Sequence, residues 1–447
     1  MSALESESLV SSPGSLLLPS PAQHLYSDAI LSILQFLALP DMIAAHSACC
    51  SWRTAAHRAP SRKVTLRCAS SGLAGFAGSA FRHHVAAYEH LDSRDTIGFD
   101  GLRLLCAFPG LVSVRARFDD AALTSIAAAD SVAGFPSKLT TLDLQLATEH
   151  PSTVKTQRLL ECMCQLTSLT SLRLAASLRP NSLHPLLLLP HLHDLTLVGF
   201  EPDNSEEVEE DLVNADLAIL KQLSSLERLS VNEDRWTASE LNRLCSPPHA
   251  LNRLHTLEMR WTTLSPAHME SLLKLPALTS IHPYFHEAGT TPYLPQFPCL
   301  RSLDLWRSSD AQPDFMHDLK QCSGLTRLSL WHCAITAQAF AELCSSLSAL
   351  TKLTLFGVTD LGLADSESAL RCVTSLSQLE TLQIHQGTAI TLAHIRHADL
   401  AQLKALRHLS ISLEHEIEEA RALLQPPSVL LPQLATLRIG SEPRVAN

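Results

Sequence analysis

Residues 325–335 read Leu-Thr-Arg-Leu-Ser-Leu-Trp-His-Cys-Ala-Ile, and the first six of them set the pattern of most of the chain. The same spacing, Leu-x-x-Leu-x-Leu, returns at residues 350–355 and precedes them at 300–305. The leucines that alternate with other residues face one side of an extended strand, and the residues between them face the other side. The stretch therefore predicts a short strand with one aliphatic face, repeated at intervals along the chain.

The six-residue pattern recurs thirteen times between residues 111 and 439, with Val, Ile, Met, Ala or Pro at some of the leucine positions. The mean step from copy to copy is about 27 residues, within the ~20–29 residues of a leucine-rich repeat, which the pattern resembles. One copy cannot bury its own leucines, whereas stacked copies share a continuous core. The resemblance implies an α/β solenoid, a horseshoe of about 13 repeats over residues 111–447. The copies begin at Leu111, Leu139, Leu169, Leu192, Leu226, Leu254, Leu278, Leu300, Leu325, Leu350, Leu379, Leu406 and Leu434.

The segments between the copies predict the outer layer of the solenoid. Residues 337–346 fit a helix because Phe340, Leu343 and Leu347 follow the i, i+3, i+7 spacing. Four prolines between residues 278 and 300 predict an extended loop in place of a helix. The acidic run 201–216 falls in a lengthened step and predicts an inserted surface loop, either simply solvated or serving to dock a basic partner.

A different pattern occupies residues 25–57. Ile30, Ile33, Leu34 and Leu37 have helical spacing, and Ser27 is a suitable N-cap. The stretch resembles an F-box, an all-α module of about forty residues that docks on a Skp-type adaptor. The resemblance departs from the family at Tyr26, where a proline is usual, and at Ala48, where a valine is usual. The residues that the resemblance assigns to adaptor contact are Leu25, Asp28, Ile30, Ile33, Leu34, Leu37, Met42 and Trp52.

These patterns divide the chain into four parts. Residues 1–23 predict a disordered tail because they are rich in Ser and Pro, and residues 24–58 form the F-box-like helical module. Residues 59–110 are a connector in which 64–68 resembles a first strand, and 111–447 is the repeat domain. The alternative reading of the module is an amphipathic cap, which an open repeat stack needs in any case.

Composition excludes several classes of function. The chain has 34 Lys and Arg against 45 Asp and Glu, a net charge of −11, and broad binding to nucleic acid needs a basic surface instead. No stretch approaches the ~18 consecutive apolar residues of a membrane span. No Lys or Arg precedes Arg53, so a secretory signal is not expected, and the 12 scattered cysteines suit reduced thiols. We expect a cytoplasmic or nuclear protein.

The sequence contains no pattern that predicts catalysis, a cofactor or a metal. His191 and His193, and likewise His282 and His286, have ligand-like spacing, but no thiol or carboxylate nearby in sequence completes either set. We interpret them as exposed histidines of the repeats. Cys162 and Cys164 form a C-x-C without a second pair. The prediction is a non-enzymatic protein with no cofactor.

The third, fifth and seventh residues of each copy, counted from its first leucine, predict a concave face that binds a partner. Aromatic residues hold the seventh position in four consecutive copies, so the prediction is a ladder of rings flanked by cations. Aromatic and Arg side chains dominate binding hot spots, and an acidic or phosphorylated ligand would fit these cations. The alternative is that the rings only stack on one another. The predicted partner-binding residues are Arg260, Trp261, Tyr284, Trp306, Arg307, Arg327, Trp331, Lys352 and Phe356.

An F-box followed by leucine-rich repeats resembles the substrate receptors of SCF-type cullin-RING ubiquitin ligases. The resemblance implies that the F-box docks the Skp-type adaptor and, through it, the cullin, while the repeats bind a protein to be ubiquitinated. Neither nucleic acid nor a membrane is expected as a partner. The alternative is a leucine-rich-repeat scaffold or regulatory binding protein whose degenerate F-box serves as a cap.

Overall fold

A computed structural model gives the fold. The predicted F-box residues from Leu25 to Trp52 lie outside the residues that it describes, and so does Arg307. The described residues are 64–67, 88–97, 110–119, 124, 135–136, 138–146, 153–175, 182–198, 210–232, 236–247, 251–286, 290–306, 313–358, 371–385, 400–412 and 434–439.

The described part of the chain is organised by one open, wholly parallel sheet of fifteen strands, whose order in the sheet is their order in the sequence. Each strand pairs in parallel with the next, so the chain returns to the same edge of the sheet before each new strand begins. This topology is that of a solenoid. The strands are β1 (Val64–Arg67), β2 (Tyr88–Ile97), β3 (Ser113–Phe118), β4 (Thr141–Leu146), β5 (Ser171–Ala175), β6 (Asp194–Val198), β7 (Arg228–Asn232), β8 (Thr256–Leu264), β9 (Ser280–His286), β10 (Ser302–Trp306), β11 (Arg327–Trp331), β12 (Lys352–Phe356), β13 (Thr381–His385), β14 (His408–Ile411) and β15 (Thr436–Ile439).

The thirteen predicted copies coincide with strands β3 to β15. In β11, for example, Leu328 and Leu330 are buried, whereas Arg327 is exposed and Ser329 and Trp331 are half-buried. The leucines of neighbouring copies form one continuous core. The sheet extends further than the predicted array, because β1 and β2 precede it and pair with β3 through β2.

One carbonyl group sets the start of each strand in the middle of the sheet. The carbonyl oxygen of Arg301 accepts hydrogen bonds from the backbone N–H groups of both Thr326 and Arg327, at 2.8 and 2.9 Å. The hydroxyl of Thr326 donates to the same oxygen at 3.1 Å. The carbonyl of Thr326 in turn accepts the corresponding three bonds from Thr351 and Lys352. This repeated contact keeps successive copies in register.

The outer layer consists of α-helices and short 3₁₀ helices. The helix predicted over residues 337–346 is confirmed: Thr336 caps its first turn, and Phe340, Leu343 and Leu347 are buried. The α-helices are α1 (Thr153–Met163), α2 (Glu210–Gln222), α3 (Ala238–Cys245), α4 (Pro266–Leu272), α5 (Pro313–Gln321) and α6 (Ala337–Ser346). The 3₁₀ helices are His184–Leu188, Thr291–Gln296, Cys372–Ser375 and Leu400–Gln402.

The proline-rich step between β9 and β10 differs from its prediction. It contains a 3₁₀ helix over Thr291–Gln296 where an extended loop was expected. Pro292 occupies the first turn, where its missing N–H costs no hydrogen bond. Leu294 and Phe297 are buried against the core. Pro excludes a long helix here, but it permits one short turn.

The acidic run 201–216 is not a loop throughout, because helix α2 begins at Glu210 within it. Asp216 is only 2% exposed, and its carboxylate accepts a hydrogen bond of 2.9 Å from the backbone N–H of Leu183. Leu183 precedes the 3₁₀ helix His184–Leu188, whose first N–H groups have no partner within that helix. Residues 201–216 contain eight Asp and Glu side chains, and one of them, Asp216, therefore has a structural role.

Asp216→Ala is expected to lower the free energy of unfolding by about 2 kcal/mol, because a buried N–H group loses its acceptor. Asp216→Asn keeps an acceptor oxygen and should lose less. Asp203→Ala makes the same change in the part of the run predicted to be solvated, and should have no effect. Urea denaturation of the four proteins measures the differences, and equal stability of Asp216→Ala and the wild type would contradict the assignment.

Candidate functional site

The sheet face opposite the leucine core, here called the open face, carries the third, fifth and seventh residues of each copy. Parallel pairing in register places equivalent residues side by side, as in Trp306 with Trp331 and Trp331 with Phe356. Each position therefore forms a row across the strands. On strands β10 to β13 one of these rows is aromatic. The third-position row is Ser302, Arg327, Lys352 and Thr381; the fifth is Asp304, Ser329, Thr354 and Gln383; the seventh is Trp306, Trp331, Phe356 and His385.

The seventh-position row is an aromatic stack of four rings. The centroids of Trp306 and Trp331 are 4.2 Å apart with the planes 4° from parallel. Trp331 and Phe356 are 4.8 Å apart at 30°, and Phe356 and His385 are 5.8 Å apart at 39°. The separations match the ~4.8 Å between neighbouring strands. Register alone therefore brings the rings into contact.

The indole of Trp331 lies between two neighbours and is half-buried. Its Nε1–H group is inaccessible and has no hydrogen-bond partner among the described residues. A buried donor without an acceptor is unfavourable for stability. Trp331 therefore carries an energetic cost that a phenylalanine at this position would avoid.

The fifth-position row forms its own hydrogen bonds. His282 Nδ1, on β9, lies 2.6 Å from a carboxylate oxygen of Asp304, and His282 Nε2 lies 2.6 Å from the hydroxyl of Ser280. The Thr354 hydroxyl donates to the side-chain oxygen of Gln383 at 3.0 Å. The middle of the open face on these strands is therefore polar but already paired.

Asp304 has a pKa below its ordinary value, although burial alone would raise it. Hydrogen bonds from His282 and Ser329, together with the charges of His282 and Lys352, favour the carboxylate form. A lowered carboxyl pKa adds stability that is present above the unfolded-state pKa of ~3.9 and is lost as the pH falls through the folded-state pKa.

Asp304→Asn is expected to lower the free energy of unfolding by about 1 kcal/mol at pH 6, because the charged acceptor is lost. The difference from the wild type should shrink as the pH falls from about 4 toward 2, where Asp304 itself becomes protonated. Urea denaturation at pH 6 and pH 3 measures both values. A difference that is the same at both pH values would contradict the role of the charge.

The third-position row contains two neighbouring cations. Arg327 and Lys352 are paired in register, Arg327 is exposed and Lys352 is half-buried. Neither has an acidic oxygen within 4 Å in the part of the chain that the structure describes. The charge of Lys352 contributes to the lowered pKa of Asp304, but the carboxylate of Asp304 pairs with His282, and Glu258 accepts a hydrogen bond from Ser230. The two cations are thus available to a ligand.

A second group of polar residues occupies the open face over strands β5 to β8. It encloses a cavity of about 250 Å³. Burial raises the pKa of Asp194 there and nearby Glu258 adds to the rise, whereas Arg228 opposes it. The polar residues of the lining are Arg173, Asp194, Thr196, Arg228, Ser230, Thr256 and Glu258.

The charges that border this cavity compensate one another. Asp143 lies 3.2 Å from the guanidinium of Arg115 and 3.7 Å from that of Arg173. Two positive and two negative side chains line the cavity itself. A ligand that carries charge of one sign is attracted less strongly to this cavity than to the cations Arg327 and Lys352. The open face thus has a charge-balanced region over β5 to β8 and an aromatic region over β10 to β13.

The structure brings together five of the predicted partner-binding residues: Trp306, Arg327, Trp331, Lys352 and Phe356. Arg260, Trp261 and Tyr284 lie in strands β8 and β9, but their side chains are outside the described residues. Sequence reasoning missed two histidines. His385 extends the aromatic stack, and His282 was expected to be an exposed histidine but pairs with Asp304.

The described cysteines are all free thiols. Burial raises the pKa of Cys164, Cys245 and Cys322 to about 12, so these thiols are protonated and unreactive at neutral pH. Cys333 Sγ lies 3.5 Å from the carbonyl oxygen of Trp331, in the turn after β11. Within the described ranges, no group of three His, Cys, Asp or Glu side chains could hold a metal ion. None of the described helices has the length and apolar character that a membrane span requires.

Comparison with known proteins adds little. No family model matches the chain, and no curated protein matches it significantly. Among solved structures, an internalin (inlF) from Listeria monocytogenes is 14% identical, with a TM-score of 0.34, over 97% of this chain and 100% of that one. Internalin C2 of the same organism is 17% identical, with a TM-score of 0.32, over 50% of this chain and 84% of that one. Likenesses of this size carry no inference about this protein. The thirteen leucine-patterned copies supply strands β3 to β15 of the single parallel sheet, and the described part of the chain is therefore a solenoid.

Proposed function

We propose that the chain is a non-catalytic receptor that binds a protein on the open face of its repeats. The observation that supports this most is the aromatic stack of Trp306, Trp331, Phe356 and His385. Large rings with few rotatable bonds lose little entropy on binding, and such residues supply most of the energy of protein interfaces. Arg327 and Lys352, which have no acidic oxygen within 4 Å among the described residues, lie on two strands of the stack and add charge specificity.

We further propose that this receptor serves an SCF-type ubiquitin ligase. The support is the match of residues 25–52 to the F-box pattern, which places the adaptor-docking element ahead of a substrate-binding domain. The receptor makes and breaks no bonds in this role. It holds the substrate close to the conjugating enzyme, which raises the effective concentration of the substrate's lysines. The cytoplasm or nucleus is the compartment that goes with this role.

The alternative is a leucine-rich-repeat scaffold or regulator that binds a protein partner without an adaptor. The departures at Tyr26 and Ala48 favour it, because both lie in the segment that docks the adaptor in F-box proteins. Both proposals share the open face as the binding surface. They differ in whether residues 24–58 contact a second protein.

Affinity purification of the full chain, followed by quantitative mass spectrometry, separates the two proposals. Recovery of a Skp-type adaptor and a cullin supports the ligase receptor. Recovery of other proteins, lost when the open face is mutated, supports the scaffold. A set of proteins that changes with neither the F-box nor the open face would contradict both.

A further inference from the structure

We infer that the occupant of the open face is an extended protein segment with an anionic side chain and an aromatic side chain four residues apart. The anionic group lies at Arg327 and Lys352, and the aromatic ring lies on the stack at Trp331 and Phe356. This inference rests on the proposed protein-binding function and specifies its ligand.

The spacing follows from the geometry of strands β11 and β12. Arg327 and Trp331 are four residues apart on one strand, and so are Lys352 and Phe356 on the next. At ~3.3 Å per residue, the cation row and the aromatic row are about 13 Å apart. A ligand that runs along these strands in extended form also advances about 13 Å in four residues, and its residues i and i+4 face the same side.

The sign of the ligand's charge follows from two neighbouring cations on the open face. Arg327 and Lys352 are adjacent in register and lack an acidic partner within 4 Å among the described residues. Two neighbouring cations repel each other, and an anion between them removes that repulsion and forms charge-assisted hydrogen bonds. An arginine can also grip a carboxylate or a phosphate through two parallel N–H groups.

The aromatic stack determines the type of the second ligand side chain, which lies on Trp331 and Phe356. The rings face one another at 4.2 Å and 4.8 Å, so neighbours cover the faces of Trp331. The faces are the part of a ring that attracts a cation, and the edges carry positive potential. A basic side chain therefore gains little from the accessible edges. The negative face of a ligand's aromatic ring packs on them in the edge-to-face arrangement.

The row between the two anchors requires a small ligand residue. Asp304 is bonded to His282 and Ser329, and Thr354 is buried and bonded to Gln383. These groups have little bonding capacity left for a ligand. Residue i+2 of the ligand faces them, and a small or polar side chain fits there without displacing an existing bond.

Selection of a phage-displayed library of random peptides on the full chain tests the inference. We expect enrichment of peptides with Asp or Glu and an aromatic residue four positions apart, in either order. The double variant Arg327→Gln, Lys352→Gln should lose the acidic preference and bind an enriched peptide about tenfold more weakly. Lys404→Gln with Arg407→Gln removes the same charge from two exposed residues off the open face and should change neither.

Synthetic versions of an enriched peptide distinguish the sources of the anion. Glu, phosphoserine and Gln are placed at the anionic position, and affinity is measured by fluorescence anisotropy. Tighter binding of the Glu or the phosphoserine peptide than of the Gln peptide supports the inference and says which anion is preferred. Equal affinity of all three overturns it.

Two further outcomes of the selection also overturn the inference. One is enrichment of aromatic residues without an acidic preference, and the other is no enrichment at all. Neither outcome overturns the proposed function. That function is tested by purifying partner proteins with the full chain and asking whether their recovery depends on the aromatic stack. Loss of those partners from a stack variant, with a failed peptide selection, would mean that the ligand is a folded surface.

Discussion

Replacement of both Trp306 and Trp331 by Ala is expected to lower the affinity for repeat-dependent partners about a thousandfold, because each truncation at an interface hot spot costs ~2 kcal/mol or more. The two rings stack at 4.2 Å and are the first two of the four rings in the aromatic stack. The measurement is the recovery of partners by quantitative mass spectrometry, with the double variant and the wild type as baits. Recovery of the Skp-type adaptor should not change.

The fold should survive this double substitution. Both side chains are half-buried on the open face and outside the leucine core. Loss of their mutual stacking costs about 1 kcal/mol, which is small against the stability of the sheet. The parallel measurement is a thermal melt. A large fall in melting temperature would mean that the two rings support the fold, and a loss of partners would then not identify a binding site.

Two control variants make the result specific. Trp331→Phe preserves the stack and removes the unpartnered Nε1–H group, so it should retain the partners and be as stable as the wild type or more stable. Leu188→Ala truncates a large apolar side chain that is 59% exposed and lies in the outer layer. It should retain the partners too. Unchanged recovery of the same partners by the tryptophan double variant would contradict the open-face site.

The repeats could be predicted from the sequence because their signal is local. In each copy, leucines such as Leu328 and Leu330 alternate with polar residues, and this period of two decides both the strand and its buried face. Helix α6 is just as local, since a threonine cap precedes residues with helical spacing. Strands β1 and β2 lack the hexad: the resemblance of residues 64–68 to a strand predicted β1, whereas β2 (Tyr88–Ile97) could not be predicted from the repeat pattern.

The missed features depend on contacts between distant residues. Asp216 bonds the backbone of Leu183, 33 residues earlier, and nothing near Asp216 indicates that partner. The 3₁₀ helix at Thr291–Gln296 is stabilised by burial of Leu294 and Phe297, which the prolines around it conceal. Local patterns predict elements, whereas tertiary contacts decide which polar residues are buried.

The candidate site could be predicted from the sequence in part. Register is implied by the repeat, so residues at equivalent positions can be aligned from the sequence alone. That alignment predicted the row of Trp306, Trp331 and Phe356, and it also places His282 beside Asp304 and His385 beside Phe356. The two histidines were missed because metal-ligand spacing compares residues that are close along the chain. The relevant neighbour in a solenoid is one repeat away.

Leu34→Ala combined with Leu37→Ala is expected to abolish recovery of the Skp-type adaptor and to leave the repeat-dependent partners in place. The F-box resemblance assigns both residues to adaptor contact. Loss of two apolar anchors, each worth ~2 kcal/mol or more at an interface, lowers affinity by a factor of about a thousand. The measurement is co-purification of the adaptor with the full chain, quantified against the wild type.

The control for this variant is Leu16→Ala combined with Leu17→Ala, which removes two leucines from the segment predicted to be a disordered tail. It should recover the adaptor as the wild type does. A thermal melt of each protein then decides between the two functions of residues 24–58. If the Leu34 and Leu37 variant melts as the wild type does but loses the adaptor, the module is a docking element. If it melts at a lower temperature and neither it nor the wild type recovers an adaptor, the module is a cap, and the chain is a scaffold that binds its partner through the open face alone.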